Sequence, residues 1–298
     1  MSGATFETAF DAAHNHAPSV WRERLRVFRA SHTPHTLMVD GLRWDYLAGE
    51  QGERVALLLH GSESDAESLF GAMTLLEERG YRVLAPTYPE RADSVEQVCA
   101  GLAALLEQAG APALVIGYSL GGYLAQALAT RRPELAPRLA LCCTGGPCAA
   151  ALRMVRVQYS FFAATPGQLL RGAWRAGAWL PLWREAPGLA GPERVFWRAY
   201  LAEMSARISK RAMLAHGRLI AEFLGSQLTP PAALAHEPGH ALILDATADH
   251  SIEPAERDAL GALYPAATRR LLPALGHLSF LTQPQDFIAA IEQEWLTW

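Results

Sequence analysis

Apolar and polar positions divide the chain into segments of two different periods. From residue 1 to about 30 the pattern is helical. Val20, Trp21, Leu25 and Phe28 recur at helical spacing, with Arg22, Arg24, Arg26 and Arg29 between them. A basic amphipathic stretch of this kind suits either contact with a membrane surface or a surface helix docked through Trp21 and Leu25. The second reading is preferred. Short strand-like runs follow. Thr36–Val39 and Leu42–Leu47 flank Asp40-Gly41, a hairpin signal. Val55–Leu59 is continuously apolar, as a strand covered on both faces would be.

Strands and helices then alternate. Ala66–Arg79 reads as a helix closed by Gly80, Tyr81–Ala85 as a strand, and Ser94–Gln108 as a helix stopped by Gly110. Ala113–Gly117 (strand), Gly121–Thr130 (helix) and Leu139–Cys143 (strand) continue the rhythm. This alternation predicts a parallel sheet built from βαβ units. From about Gly145 to Ala235 it gives way to helical patterns carrying Trp174, Trp179, Trp183 and Trp197. It resumes with strands at Ala241–Asp245 and Thr268–Leu272 and a closing helix at Pro284–Trp298. The predicted organisation is an N-terminal helical extension (1–35), an α/β core (36–145 and 236–298) and a helical insertion (146–235).

The 298 residues, half of them hydrophobic, can bury a sizeable core without staples. The four cysteines, Cys99, Cys142, Cys143 and Cys148, show neither a disulfide framework nor metal-site spacing. We therefore expect no metal and no cofactor. No apolar run is long enough to span a bilayer, and the first residues lack the features of a secretory signal. The expected setting is a reducing compartment, most simply the cytoplasm. A net charge of −4 gives no pull toward nucleic acid. The charge is uneven, however. Residues 145–235 hold eleven basic residues against four acidic ones.

The candidate chemistry starts at Gly117-Tyr118-Ser119-Leu120-Gly121, a G-x-S-x-G pattern between a predicted strand and a predicted helix. The glycines allow a tight turn that lifts the Ser119 hydroxyl above the sheet. The adjacent helix N-terminus favours negative charge. A serine nucleophile needs a base held in place by an acid, in the chain order Ser, acid, His. His277 follows the last predicted strand and is the candidate base. Asp249, in the loop after the 241–245 strand, is preferred over Asp245 as the acid. Backbone N–H groups of Leu120 and of Ser62, in the His60-Gly61-Ser62 turn, are the candidate oxyanion donors. His60 itself is read as orienting that turn.

Together, His60-Gly61, Gly-Tyr-Ser119-Leu-Gly-Gly, the Asp249 loop and Gly276-His277 resemble the α/β-hydrolase superfamily. The resemblance implies a mostly parallel central sheet with helices on both faces, and it puts the 146–235 insertion in the position of a cap. Gly80-Tyr-Arg-Val-Leu-Ala-Pro-Thr-Tyr-Pro and Leu244-Asp-Ala-Thr-Ala-Asp-His-Ser further resemble maspardin and its bacterial relatives. That group implies a non-catalytic binding protein, with the insertion's tryptophans as a partner surface. Superfamily members that open epoxides or remove halide carry Asp at the elbow, so Ser119 argues against both activities. The acid loop departs from the common pattern, because Pro254 lies five residues after Asp249 rather than four. The resulting expectation is a serine hydrolase acting on an ester or thioester of an apolar acyl group, with an anionic handle allowed by the basic insertion. Carbon–carbon bond hydrolysis and acyl transfer use the same parts. Oligomeric state is not readable from the sequence.

Overall fold

The computed structural model describes residues 19–49, 51–177, 184–189 and 191–295. Expectations that fall on residues 1–18, on Trp179 and Trp183, on the Trp174 side chain and on residues 296–298 lie outside it. Helix α1 (Ser19–Ser31) leads into the hairpin β1 (His35–Val39) and β2 (Leu42–Ala48). Asp40 and Gly41 turn it at positive φ, 49° and 76°, the primed geometry that matches strand twist.

β3 (Arg54–Leu59) is followed by a 3-10 turn (Ala66–Leu69) and α2 (Phe70–Glu77), then β4 (Tyr81–Thr87). The single helix expected over 66–79 is thus split. Both the Ser68 N–H (3.0 Å) and its hydroxyl (2.7 Å) donate to the Asp65 carbonyl, which holds the first turn in the tighter winding. α3 (Val95–Ala109) has Ser94 as its N-cap and ends on left-handed Gly110. β5 (Ala113–Tyr118), α4 (Leu120–Arg131) and β6 (Arg138–Cys142) complete the first half.

Between β6 and its sheet neighbour β7 (Ala241–Ala248) run α5 (Ala149–Ala164), α6 (Gly167–Gly177), α7 (Gly191–Arg207), α8 (Lys210–Leu224) and the short α9 (Ala232–His236). α10 (Pro254–Leu263), β8 (Thr268–Gly276), α11 (Ser279–Thr282) and α12 (Pro284–Trp295) finish the chain. The eight strands form one sheet in the order β1-β2-β4-β3-β5-β6-β7-β8. β1 and β2 are antiparallel to their neighbours, and the strands from β4 to β8 are parallel.

Each face of the sheet is covered by its own apolar layer. Residues of α3, α4, α8 and α10 fill one face. Residues of α1, α2, α7 and α12 fill the other. α1 docks as expected, with Trp21, Leu25 and Phe28 buried. Its partner is partly the insertion. Trp197 of α7, fully buried, lies 5.3 Å (ring centroids) from Trp21 and 5.8 Å from Phe70 of α2. This corrects the idea of Trp197 as part of an exposed partner surface. The aromatic row Phe196, Trp197 and Tyr200 is core, because it fills the space between α1 and α2. No helix among the described residues is long and apolar enough to cross a membrane.

Candidate functional site

The Gly117–Gly121 turn joins β5 to α4, and Ser119 sits at its apex with φ 53° and ψ −119°. A non-glycine residue there is strained and needs support from its surroundings. Ser119 N–H donates to the Cys142 carbonyl (3.1 Å), and Thr144 Oγ1 donates to the Ser119 carbonyl (2.8 Å). The glycines are required by close approach. A Cβ on Gly117 would drive into the Gly121 carbonyl, and one on Gly121 into the Leu59 carbonyl. Two further non-glycine residues with positive φ, Glu63 (59°) and Cys143 (46°), follow β3 and β6 beside this turn.

Ser119, His277 and Asp249, separated by up to 158 positions in sequence, form one hydrogen-bonded row. His277 Nε2 lies 3.1 Å from Ser119 Oγ, and His277 Nδ1 lies 3.0 Å from Asp249 Oδ2. Ser251 N–H (2.8 Å) and Ile252 N–H (3.2 Å) donate to Asp249 Oδ1. Burial raises the Asp249 carboxyl, but His277 and the Ser251 N–H outweigh it, so the group stays below the ordinary carboxylate range. Asp245 is placed elsewhere. It lies within β7, where its Oδ2 accepts from Arg269 at 3.3 Å, and Asp249 is the carboxylate that meets His277.

Ser62 lines the same cavity as Ser119, and Leu120 follows Ser119 in the chain. Leu120 is the first residue of α4. Gly61 brings the Ser62 loop close, since a Cβ there would stand 2.9 Å from the Tyr118 ring and 3.3 Å from Ser119 Cβ. His60 is buried beneath this loop. Its Nδ1 meets the Gly61 carbonyl at 2.7 Å and its ring stacks on Tyr88 at 4.0 Å, so it orients the turn. Glu63 N–H donates to His216 Nδ1 at 3.0 Å, tying the loop to α8. Burial pushes His60 down to about 4 and His216 down to about 3, so both rings are neutral at pH 7.

A cavity of about 410 Å³ opens over Ser119 and His277. α5 and α8 supply an apolar wall of Ala151, Met154, Val155 and Ile220, continued by Ile252 and Leu278. Three carboxylates that the sequence reading missed also line it: Glu63, Glu185 and Glu256. Tyr159 donates to Glu63 at 3.2 Å and Tyr123 to Glu256 at 2.6 Å. Burial raises Glu63 to about 7, against the lowering by Tyr159, and burial also raises Glu256. No arginine or lysine lines the cavity among the described residues. Among the described residues, the basic residues between β6 and β7 thus place no cation in the cavity lining. The spacing of these glutamates carries no signal in the sequence, because each is brought in by a different element. Cys143, Asp249 and His277 present ligand atoms within 4.8 Å of one another, as a metal site would. Two of them, Asp249 and His277, are engaged with each other.

Residues 56–291 match the Alpha/beta hydrolase family. An "AB hydrolase superfamily protein" of Gibberella zeae is 36% identical over 98 residues, 30% of this chain and about a third (35%) of that relative. A mouse (Mus musculus) sn-1-specific diacylglycerol lipase is 26% identical over 276 residues, covering 84% of this chain and 83% of the lipase. Among solved structures, the enol-lactonase of Burkholderia xenovorans superposes with a TM-score of 0.67 at 20% identity, over 89% of this chain and all of that one. Epoxide hydrolase A of Mycobacterium thermoresistibile gives 0.68 at 18% identity, over 89% and 98%. At these identities the two structures speak for the fold alone.

Proposed function

The chain belongs to the alpha/beta hydrolase family, and from that premise we propose that it is a serine hydrolase cleaving an ester or thioester of a largely apolar, uncharged acyl group. The observation that carries the reading is the row Ser119–His277–Asp249 at the edge of the cavity. Asp249, accepting from Nδ1–H, fixes the imidazole so that Nε2 is the free base facing Ser119. Ser119 Oγ attacks the substrate carbonyl as its proton passes to His277 Nε2. The N–H groups of Ser62 and Leu120 hold the resulting oxyanion. Collapse breaks the bond to the alcohol or thiol, which takes the proton from His277. Water, deprotonated by His277, then attacks the acyl-enzyme and releases the acid and Ser119.

The insertion acts as the cap in this reading. Its Ala151, Met154, Val155 and Ile220 supply apolar contact for the acyl chain. The likeness to a lipase acting on diacylglycerol agrees with an apolar acyl group. A cytoplasmic setting belongs to the same proposal, supported by the four unpaired thiols Cys99, Cys142, Cys143 and Cys148. The test is labelling by a fluorophosphonate. Folded wild-type protein is expected to be labelled at Ser119, and Ser119→Ala to be spared. A folded wild type that resists labelling rules the proposal out.

A further inference from the structure

Glu185, contributed by the segment between α6 and α7, reaches both loops that carry the base and the acid. It is buried, and one of its oxygens, Oε2, faces two backbone donors at once. These are His250 N–H at 3.1 Å, next to Asp249, and His277 N–H at 3.4 Å. The Glu185 carbonyl accepts a third bond, from Leu278 N–H at 2.8 Å. Gly276 makes the approach possible. A Cβ there would stand 2.6 Å from the Glu185 carbonyl oxygen and 3.0 Å from its Cα. Donors on the acid loop and the base loop thus converge on one residue that belongs to neither.

We propose that Glu185 is a positioning residue for the reacting groups, its carboxylate and carbonyl clamping the 249–250 loop to the 276–278 loop so that His277 stays aligned between Asp249 and Ser119. The inference rests on the serine-hydrolase reading. The physical reason is that proton transfer through His277 depends on two hydrogen bonds, and a shift of about 1 Å in such a group can cost on the order of a hundredfold in rate. Those two bonds lie on loops from β7 and β8: the pairing of the two strands, irregular between Ala246 and Ala248, ends at Ala248–Gly276, and Asp249 and His277 are the first residues beyond it.

The test compares wild type, Glu185→Gln, Glu185→Asp and Glu185→Ala by the kinetics of Ser119 phosphonylation, with thermal melting to establish folding. The reading separates the maximal inactivation rate from the affinity for the probe. Glu185→Gln keeps an acceptor at the same reach and is expected to stay within about threefold of wild type. Glu185→Ala loses the acceptor, and Glu185→Asp withdraws it by one methylene. Both are expected to lose about tenfold or more in maximal rate, with probe affinity changed less than about threefold. Full rate in Glu185→Ala, a loss in Gln equal to that in Ala, or an effect confined to affinity overturns the proposal. If Glu185→Ala does not fold, the Gln–Asp comparison decides by the same criteria. A labelled wild type with indifferent variants overturns the Glu185 role alone, whereas an unlabelled, folded wild type overturns it together with the serine-hydrolase reading.

Discussion

Asp245 and Asp249 lie four residues apart on one strand and the loop beyond it, yet their surroundings separate them. Asp245 faces Arg269, with the Arg257 guanidinium 3.9 Å away. Asp249 shares Arg257, at 3.7 Å, but it also accepts from two backbone N–H groups and meets His277. Substituting Asp249→Asn preserves shape but gives His277 the wrong partner, so esterase turnover is expected to fall about a thousandfold or more. Asp245→Asn is expected to stay within about threefold. Equal losses in turnover of p-nitrophenyl butyrate would contradict this division. Strain at residue level follows the same geography in part. Of the described non-glycine residues with positive φ, Ser119 and Glu63 line the cavity and Cys143 lies beside Asp249 and His277, whereas Asp40 is in the hairpin turn and Ala274 in β8.

At the level of elements, α1 bears on stability, and α5 and α8 bear on selectivity. α1 is joined to both the core and the insertion. Trp21 packs on Phe70 and Trp197, and Arg29 pairs with Glu67 after β3 and with Glu203 on α7, at 2.7 Å each. Truncating Trp21→Ala empties a buried indole site and is expected to cost about 3–5 kcal/mol in chemical denaturation. A loss under about 1 kcal/mol would mean that α1 is an accessory, not part of the core. α5 and α8 face the cavity mostly with apolar side chains, and the charged groups lining it among the described residues, Glu63, Glu185 and Glu256, are carboxyls from other segments. Mono-p-nitrophenyl succinate is therefore expected to be cleaved at least about tenfold more slowly, in kcat/KM, than p-nitrophenyl butyrate. Faster cleavage of the succinate would restore the anionic handle that the insertion's arginines suggest.

At the scale of the whole molecule, buried histidines couple stability to pH. In the unfolded chain an imidazole titrates near 6.5, whereas His60 and His216 are held at about 4 and about 3. As pH falls below about 6.5 the unfolded chain takes up protons that these two rings refuse, and stability declines until their folded values are passed. Each contributes up to about 1.4 kcal/mol per pH unit. Glu63 works in the opposite sense. Raised to about 7, it holds a proton in the folded state down to the unfolded value near 4.5, and so offsets one of the two in that window. Glu63 N–H donates to His216, so replacing the ring with a permanently neutral acceptor isolates its share. In His216→Gln the decline in stability between pH 6.5 and 4.5 is expected to be shallower by about one proton, read from denaturant titrations. An unchanged slope would show that His216 is protonated in the folded protein.

The alternation of strands and helices, the hairpin at Asp40-Gly41, the elbow and the chain order of Ser119, Asp249 and His277 were legible in the sequence. Each depends on local period, on glycine at a sterically crowded turn or on the order of the elements along the sheet. The choice of Asp249 over Asp245 was legible only as a preference, because four residues along a strand end move a carboxylate from one neighbourhood to another. The split of the helix at 66–69 was missed, since it turns on one hydroxyl returning to the Asp65 carbonyl. The cavity wall and the convergence of His250, His277 and Leu278 N–H groups on Glu185 are tertiary facts. Glu63, Glu185 and Glu256 come from three separate stretches of chain, and no periodicity encodes their meeting. The burial of Trp197 against Trp21 is of the same kind. Local sequence determined where the reactive groups stand along the backbone, because short-range sterics fix turns and periods. Only long-range packing decided what surrounds them, because charge and solvation depend on neighbours that the folded chain alone brings together.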